Sequence, residues 1–182
     1  MLKEIIRKYK FWKNTDRIGP DIPLTYWRFF FKPTMIKLCK KKFHSFDCSS
    51  EIRPGAYAVG CSQISIGKNV VIRPGTQLHG ETSSLEISII IEDEVLIGCG
   101  VHFYVENHNF LNSNIPIIYQ GHSQAKGVLI KKGAWIGANS IILPGVEIGE
   151  NTVVGAGSIV TKSLPKGVVA VGNPARIIKQ IK

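Results

Sequence analysis

The chain has 182 residues, of which 44% are hydrophobic, with eighteen glycines, nine prolines and a net charge of +10. This is enough chain for one large domain or two small ones, and its apolar share excludes a disordered polymer. The charge sits at the front: residues 1–45 carry twelve Lys/Arg against three Asp/Glu, whereas 46–182 carry eleven against ten.

Residues 1–49 read as a basic, aromatic-rich and partly helical segment, with Phe11, Trp12, Tyr26, Trp27, Phe29, Phe30, Phe31 and Phe43 among its cations. Two roles compete for it. The aromatics can pack over the end of the following domain and protect its edge, or residues 1–45 can lie on an anionic membrane surface. Basic and aromatic composition also suits nucleic acid, but no RNP, helix-turn-helix or zinc motif accompanies it, so no nucleic-acid partner is expected. The opening MLKEIIRKYKFWKN lacks the uninterrupted apolar stretch of a signal peptide, and no apolar run approaches the roughly 18 residues of a membrane span. The expected location is the cytoplasm, with peripheral membrane contact as an open alternative. Cys39, Cys48, Cys61 and Cys99 form no CxxC pair and read as reduced thiols, and His44, outside any repeat, reads as structural.

From about residue 50 the chain repeats every six positions. Ile66 opens IGKNVV, IRPGTQ and LHGETS; Ile91 opens IEDEVL, IGCGVH and FYVENH; Ile130 opens IKKGAW, IGANSI, ILPGVE, IGENTV, VGAGSI and VTKSLP. The fifth positions of the last block are Ala134, Ser140, Val146, Thr152, Ser158 and Leu164, small or β-branched in five of six. Six matches neither the 3.6-residue helical period nor strict strand alternation. Short parallel strands bending at regular corners do produce it, with first-position aliphatics inside and Gly or Asn where φ must turn positive. An antiparallel sandwich would turn about every 8 to 12 residues and lose the phase. The expected fold is all-β, a parallel β-helix over residues 50–182.

The period breaks after VENHNF. Residues 109–129 have no six-residue pattern and read as a loop extruded from a coil, with His108 at its base. Loops on rigid scaffolds are where chemistry concentrates, and a neutral imidazole near its usual pKa of about 6.5 can accept a hydroxyl proton at neutral pH. Glu106 stands close enough in sequence to orient that ring. His102 ends the preceding hexad, so it is expected to stack near the same corner. His79 and His122 rank lower, one two blocks earlier and the other inside the loop. At the chain's end, Ile177, Ile178 and Ile181 fall at helical spacing after Pro174, so residues 172–182 are expected to form a short helical cap that exposes Arg176 and Lys179 on one face.

The hexads, the His-bearing loop and WIGANSIILPGVEIGENTVVGAGSIVTKSLPKGVVAVGNPARII resemble the hexapeptide-repeat acyltransferases, in the branch of galactoside and maltose acetyltransferases and bacterial polysaccharide O-acetyltransferases. The resemblance covers about residues 50–182. It implies a left-handed β-helix, a homotrimer, and acetyl-CoA as co-substrate held between neighbouring subunits, with no metal. By the same resemblance His108 is the general base, Trp135 packs near the cofactor arm, Ala138 offers its backbone N–H to the thioester oxygen, and Gly155, Ala156 and Lys162 line the channel. Arg176 and Lys179 suit the phosphates of CoA. Family members usually hold the acceptor sugar with an Asn on an earlier coil. Here IRPGTQLHG offers Arg73, Gln77 and His79 instead, with His102 as a further contact.

The implied function is O-acetylation of a sugar hydroxyl in the assembly of a bacterial surface polysaccharide such as lipopolysaccharide or capsule. N-acetylation of a nucleotide-linked amino sugar is a second reading, although the front segment shows no GxGxxG or βαβ pattern. A zinc-dependent carbonic anhydrase on the same fold is a third, through His79, His102 and His108. A purely structural solenoid is the fourth, and a twenty-residue excursion rooted at a histidine argues against it.

Overall fold

The computed structural model describes residues 1–81 and 87–182, so the end of the LHGETS hexad lies outside the described residues. Each hexad supplies one strand of two or three residues, and consecutive strands enter three sheets in rotation. The first coil is Ser45–Phe46, Glu51–Ile52 and Tyr57–Val59; the second is Ile64–Ile66, Val71–Ile72 and Gln77–His79; the third is Ile89–Ile91, Leu96–Ile97 and His102–Tyr104. After the excursion come Val128–Ile130, Trp135–Ile136 and Ile141–Ile142, then Glu147–Ile148, Val153–Val154 and Ile159–Val160. Strands of successive coils pair parallel and in register: Ile136 lies opposite Ile97 and Val154, and Phe103 opposite Leu78 and Ile142.

The interior of this three-sided coil explains the period. Ile130, Ile136, Ile142, Ile148, Val154 and Val160 are each 0% exposed. The fifth positions are buried too, where small residues fit beneath the corners. Their hydroxyls are satisfied locally: Ser140 and Ser158 donate to the Gly155 carbonyl at 3.1 and 2.6 Å, and Thr152 to the Pro165 carbonyl at 2.6 Å. Bonded in this way, the hydroxyls escape the cost of an unpaired buried polar group. Asn69, Asn139 and Asn151 take the corners at φ of 54°, 58° and 51°, a left-handed conformation that asparagine tolerates better than most residues.

The front segment folds onto the open end of the first coil. Helices α1 (Leu2–Asn14), α2 (Pro23–Tyr26) and α3 (Lys32–Lys42) make up this segment, and between α1 and α2 a strand, Arg17–Ile18, runs antiparallel to Ala58 and Val59. Pro23 and Pro33 stand in the first turns of α2 and α3, where a missing N–H costs nothing. Met35, Leu38 and Cys39 of α3 are buried, in one apolar cluster with Phe43, Phe46 and Ile52, so the coil's edge is covered. By contrast α1 buries no residue. All four cysteines are free thiols; burial pushes those of Cys39 and Cys61 far up, which makes them unreactive.

The other end differs from the sequence expectation. Val168–Gly172 continues the second sheet beside Val153–Val154, and Ala175–Gln180 folds back antiparallel against it. The chain therefore ends in a β-hairpin, and the short helical cap over 172–182 is not formed. So short a helix needs packing to outweigh its nucleation cost, yet Ile177, Ile178 and Ile181 remain 48%, 63% and 42% exposed. The last edge of the second sheet instead offers open backbone groups that a β-branched segment can pair with at once. Among the described residues no helix is long and apolar enough to cross a membrane.

Truncating Ile136 to Ala should cost about 2–5 kcal/mol, because the narrow interior cannot collapse around the void. Ile178→Ala on the terminal strand should stay within about 0.5 kcal/mol. Urea unfolding of both variants measures the contrast.

Candidate active site

The excursion leaves the coil after Tyr104 and rejoins it at Val128, two residues before the hexad phase placed the return, because Val128 and Leu129 already pair with Ile89 and Ile90. Its stem is a short antiparallel ladder. Lys126 N donates to Val105 O at 2.7 Å, Ser123 N to Asn107 O at 2.8 Å, and Asn109 N to Gly121 O at 2.9 Å. The Asn109 amide adds bonds to the carbonyls of Gln120 and His122 at 3.1 and 2.9 Å. This register sets His108 opposite His122, with ring centroids 4.2 Å apart. The sequence offered little to raise His122 in rank, since cross-ladder pairing inside an aperiodic loop leaves no spacing signal. No hydrogen bond joins the Glu106 carboxylate to either ring among the described residues.

His108 and His122 border a cavity of about 420 Å³ whose other walls include His79, Tyr104, Glu106 and Arg17. Register brings His79 there, since it lies opposite Tyr104 on the outer face of the third sheet. The two rings stack with centroids 4.9 Å apart and planes 15° from parallel, and Tyr57 lies 5.8 Å from His79 on the adjacent coil. His79 Nε2 donates to Gln77 Oε1 at 2.9 Å, and His102 Nδ1 lies 3.1 Å from the Tyr104 hydroxyl. Burial lowers the His79 pKa, with smaller contributions from His102 and Arg17, so this imidazole is neutral at physiological pH. Arg17 was not anticipated: it comes from the front segment, and only the strand pairing with Val59 delivers it.

Other expectations are corrected by the coil geometry. His102 does not stack at one corner with His108. It sits within a strand opposite Gln77 and Ile141, and the chain has already left the coil when it reaches residue 108. Gln77 and His102 therefore support the cavity's aromatic wall through His79 and Tyr104. Arg73 lies outside the cavity, exposed on the corner between the second and third sheets. His79 and His108 border one cavity that His102 does not, and no group of three metal-ligating side chains occurs among the described residues of the single chain.

Of the residues expected on the donor side, Ala138, Gly155 and Ala156 occupy that same corner on later coils. A Cβ on Gly98 would lie 2.6 Å from Ala138 N, and one on Gly137 would lie 2.5 Å from Ala156 N, so glycine is needed where successive turns meet. Neither Ala138 nor Ala156 donates its backbone N–H to a protein acceptor among the described residues, and both reach the surface. Gly155 is covered by the Val171 side chain. Trp135 is half exposed on the second sheet, between Leu96 and Val153. Lys162 stands apart from this group, after the third-sheet strand of the last coil. Arg176 and Lys179 are not one helical turn apart but lie opposite Val171 and Val169 on the terminal strand. Cross-strand partners share a face, and the register shift beside Val169 puts both cations on the outer side. None of these donor-side residues borders the cavity of His108.

The bacterial transferase hexapeptide family (six repeats) matches residues 127–162. Galactoside O-acetyltransferase of Escherichia coli (strain K12) is 34% identical over 148 residues, covering 79% of this chain and 67% of that protein. Among solved structures, a hexapeptide-repeat acetyltransferase of Vibrio cholerae in complex with acetyl coenzyme A superimposes with a TM-score of 0.73 at 28% identity, over 84% of this chain and 79% of that one. A galactoside acetyltransferase in complex with coenzyme A gives 0.70 at 28% identity, over 97% and 80%.

The lowered pKa of His79 predicts an acid-side instability. Above the unfolded value of about 6.5 both states are neutral and nothing is lost; as pH falls through it, the unfolded chain gains a proton that the folded site resists. Melting temperature should therefore drop between pH 7.5 and 5.5, and His79→Gln should reduce that drop.

Proposed function

This chain belongs to the hexapeptide-repeat acetyltransferases, and from that premise we propose that it transfers the acetyl group of acetyl-CoA to a sugar hydroxyl with His108 as general base. The observation that carries the reading is the loop stem, which presents an exposed imidazole to a cavity walled by stacked His79 and Tyr104. The His108 imidazole takes the acceptor's proton as the acceptor oxygen attacks the thioester carbonyl carbon. The tetrahedral oxyanion then collapses, the carbon–sulfur bond breaks, and the proton passes to the departing CoA thiolate. The aromatic wall suits the apolar face of a pyranose, with Arg17, Glu106 and Asn107 available to its hydroxyls. His122, facing His108 across the ladder, limits the ring's freedom.

On the donor side, the open N–H of Ala138 fits the thioester oxygen, and such a donor contributes a few kcal/mol to stabilising an oxyanion. The corner around Gly155 and Ala156 is narrow enough for a pantetheine chain beside Trp135, while Arg176, Lys179 and Lys162 offer positive charge to the phosphates. Because these groups lie away from the His108 cavity, the site is completed by a neighbouring copy. The loop tip supports this reading: Leu111, Ile118 and Tyr119 are 91%, 77% and 78% exposed, an apolar surface that needs a cover. We read the assembly as a homotrimer of left-handed coils. The acceptor is read as a glycan of a bacterial surface polysaccharide, since an exposed base on an outer face can reach a bulky sugar.

Purified protein given acetyl-CoA and a panel of sugars and oligosaccharides should release free thiol with one acceptor class. His108→Ala should lower kcat about 10²- to 10⁴-fold with the assembly's mass unchanged. Undiminished turnover in that variant removes His108 from the mechanism.

A further inference from the structure

We propose that helix α1 docks the enzyme on an anionic lipid bilayer. Leu2, Ile5, Ile6 and Tyr9 fall at i, i+3, i+4 and i+7 and form one stripe along the helix. The helix buries nothing, and these four side chains are 71%, 55%, 47% and 51% exposed. The helix is nonetheless held in place. Beyond its end Asp16 accepts hydrogen bonds from Ser62 N and Oγ at 3.1 and 2.7 Å, Lys42 bonds to the Thr15 carbonyl, and Trp12 lines one groove with Leu24 and Leu38. An apolar stripe this exposed along a helix so anchored points to an external partner.

Charge selects the partner. Lys3, Lys8, Lys10 and Lys13 border the stripe or continue it, and the front segment carries twelve cations against three acids. A second copy would bring the same positive segment against this one. A nucleic acid would engage the cations but leave the aliphatic stripe in water. A bilayer with anionic headgroups satisfies both halves: the stripe enters the acyl boundary while the lysines extend to the headgroups.

The docked orientation has a consequence for the acceptor. Arg17, three residues beyond the helix, borders the His108 cavity, and three residues span at most about 10 Å. The Arg17 wall of the cavity therefore lies near the end of the docked helix, within reach of the sugars of a membrane-tethered glycan. This last step rests on the acetyl transfer proposed above, whereas the docking does not.

The test is flotation of the full-length protein with vesicles of phosphatidylcholine alone or mixed with phosphatidylglycerol, at low and high salt. It should float with the mixed vesicles only, and less at high salt. Ile5→Glu/Ile6→Glu should reduce flotation at least tenfold, with thiol release on a soluble sugar and the oligomeric mass both unchanged. Absence of flotation, or equal flotation of the double variant, overturns the proposal. So does a change of oligomeric mass in the lipid-free double variant, which would assign the stripe to a second copy. Thiol release on the soluble sugar is read separately, so failure of docking and failure of the acetyl-transfer reading are distinguishable.

Discussion

Everything in this protein depends on how closely one coil can sit on the next. Strand ladders hold the turns at backbone hydrogen-bonding distance, and the corners must bring main chain to within the reach of a Cβ: Gly98 against Ala138, Gly137 against Ala156. That closeness leaves an interior wide enough for one large apolar side chain per side, mostly Ile or Val and once Phe103, and for small residues beneath the corners, and this is why the chain repeats every six residues. It also leaves the N–H groups of Ala138 and Ala156 without protein acceptors among the described residues. The constraint that builds the scaffold thus produces the polar backbone edge on which the donor is proposed to lie.

The same rigidity gives the extruded loop its use. Its chain departs and returns on strands fixed by parallel neighbours, so the stem has little choice of register, and the ladder from Val105 to Lys126 sets His108 against His122. On a mobile loop an imidazole would sample many directions, whereas the base proposed here needs one reactive pose. Beneath it the outer face of the third sheet supplies His79 and Tyr104 from successive coils, stacked because parallel register places them opposite one another.

The two ends solve the problem of exposed edges in different ways. At the front, an antiparallel strand and a helix bring aromatic and sulfur-bearing side chains over the first coil and also carry Arg17 into the cavity. At the back the chain pairs with itself as a hairpin, which uses backbone bonds and leaves its isoleucines in solvent. The two caps therefore add different groups to the surface: one brings Arg17 to the His108 cavity, and the other sets Arg176 and Lys179 opposite Val171 and Val169.

The repeat, the buried positions and the site of the excursion were all legible in the order of residues, because each follows from a period or from its interruption. The terminal helix was misread: three isoleucines at helical spacing resemble an amphipathic face, and only the presence of an unpaired sheet edge decides for a strand. His122 and Arg17 were out of reach for the same kind of reason, as each arrives through pairing with residues distant in the chain. Local periodicity carries the path of the coil, since every turn repeats the same steric problem. Cross-strand register, edge coverage and the meeting of loop, front segment and sheet depend on contacts between remote residues, and those were settled only when the chain closed on itself.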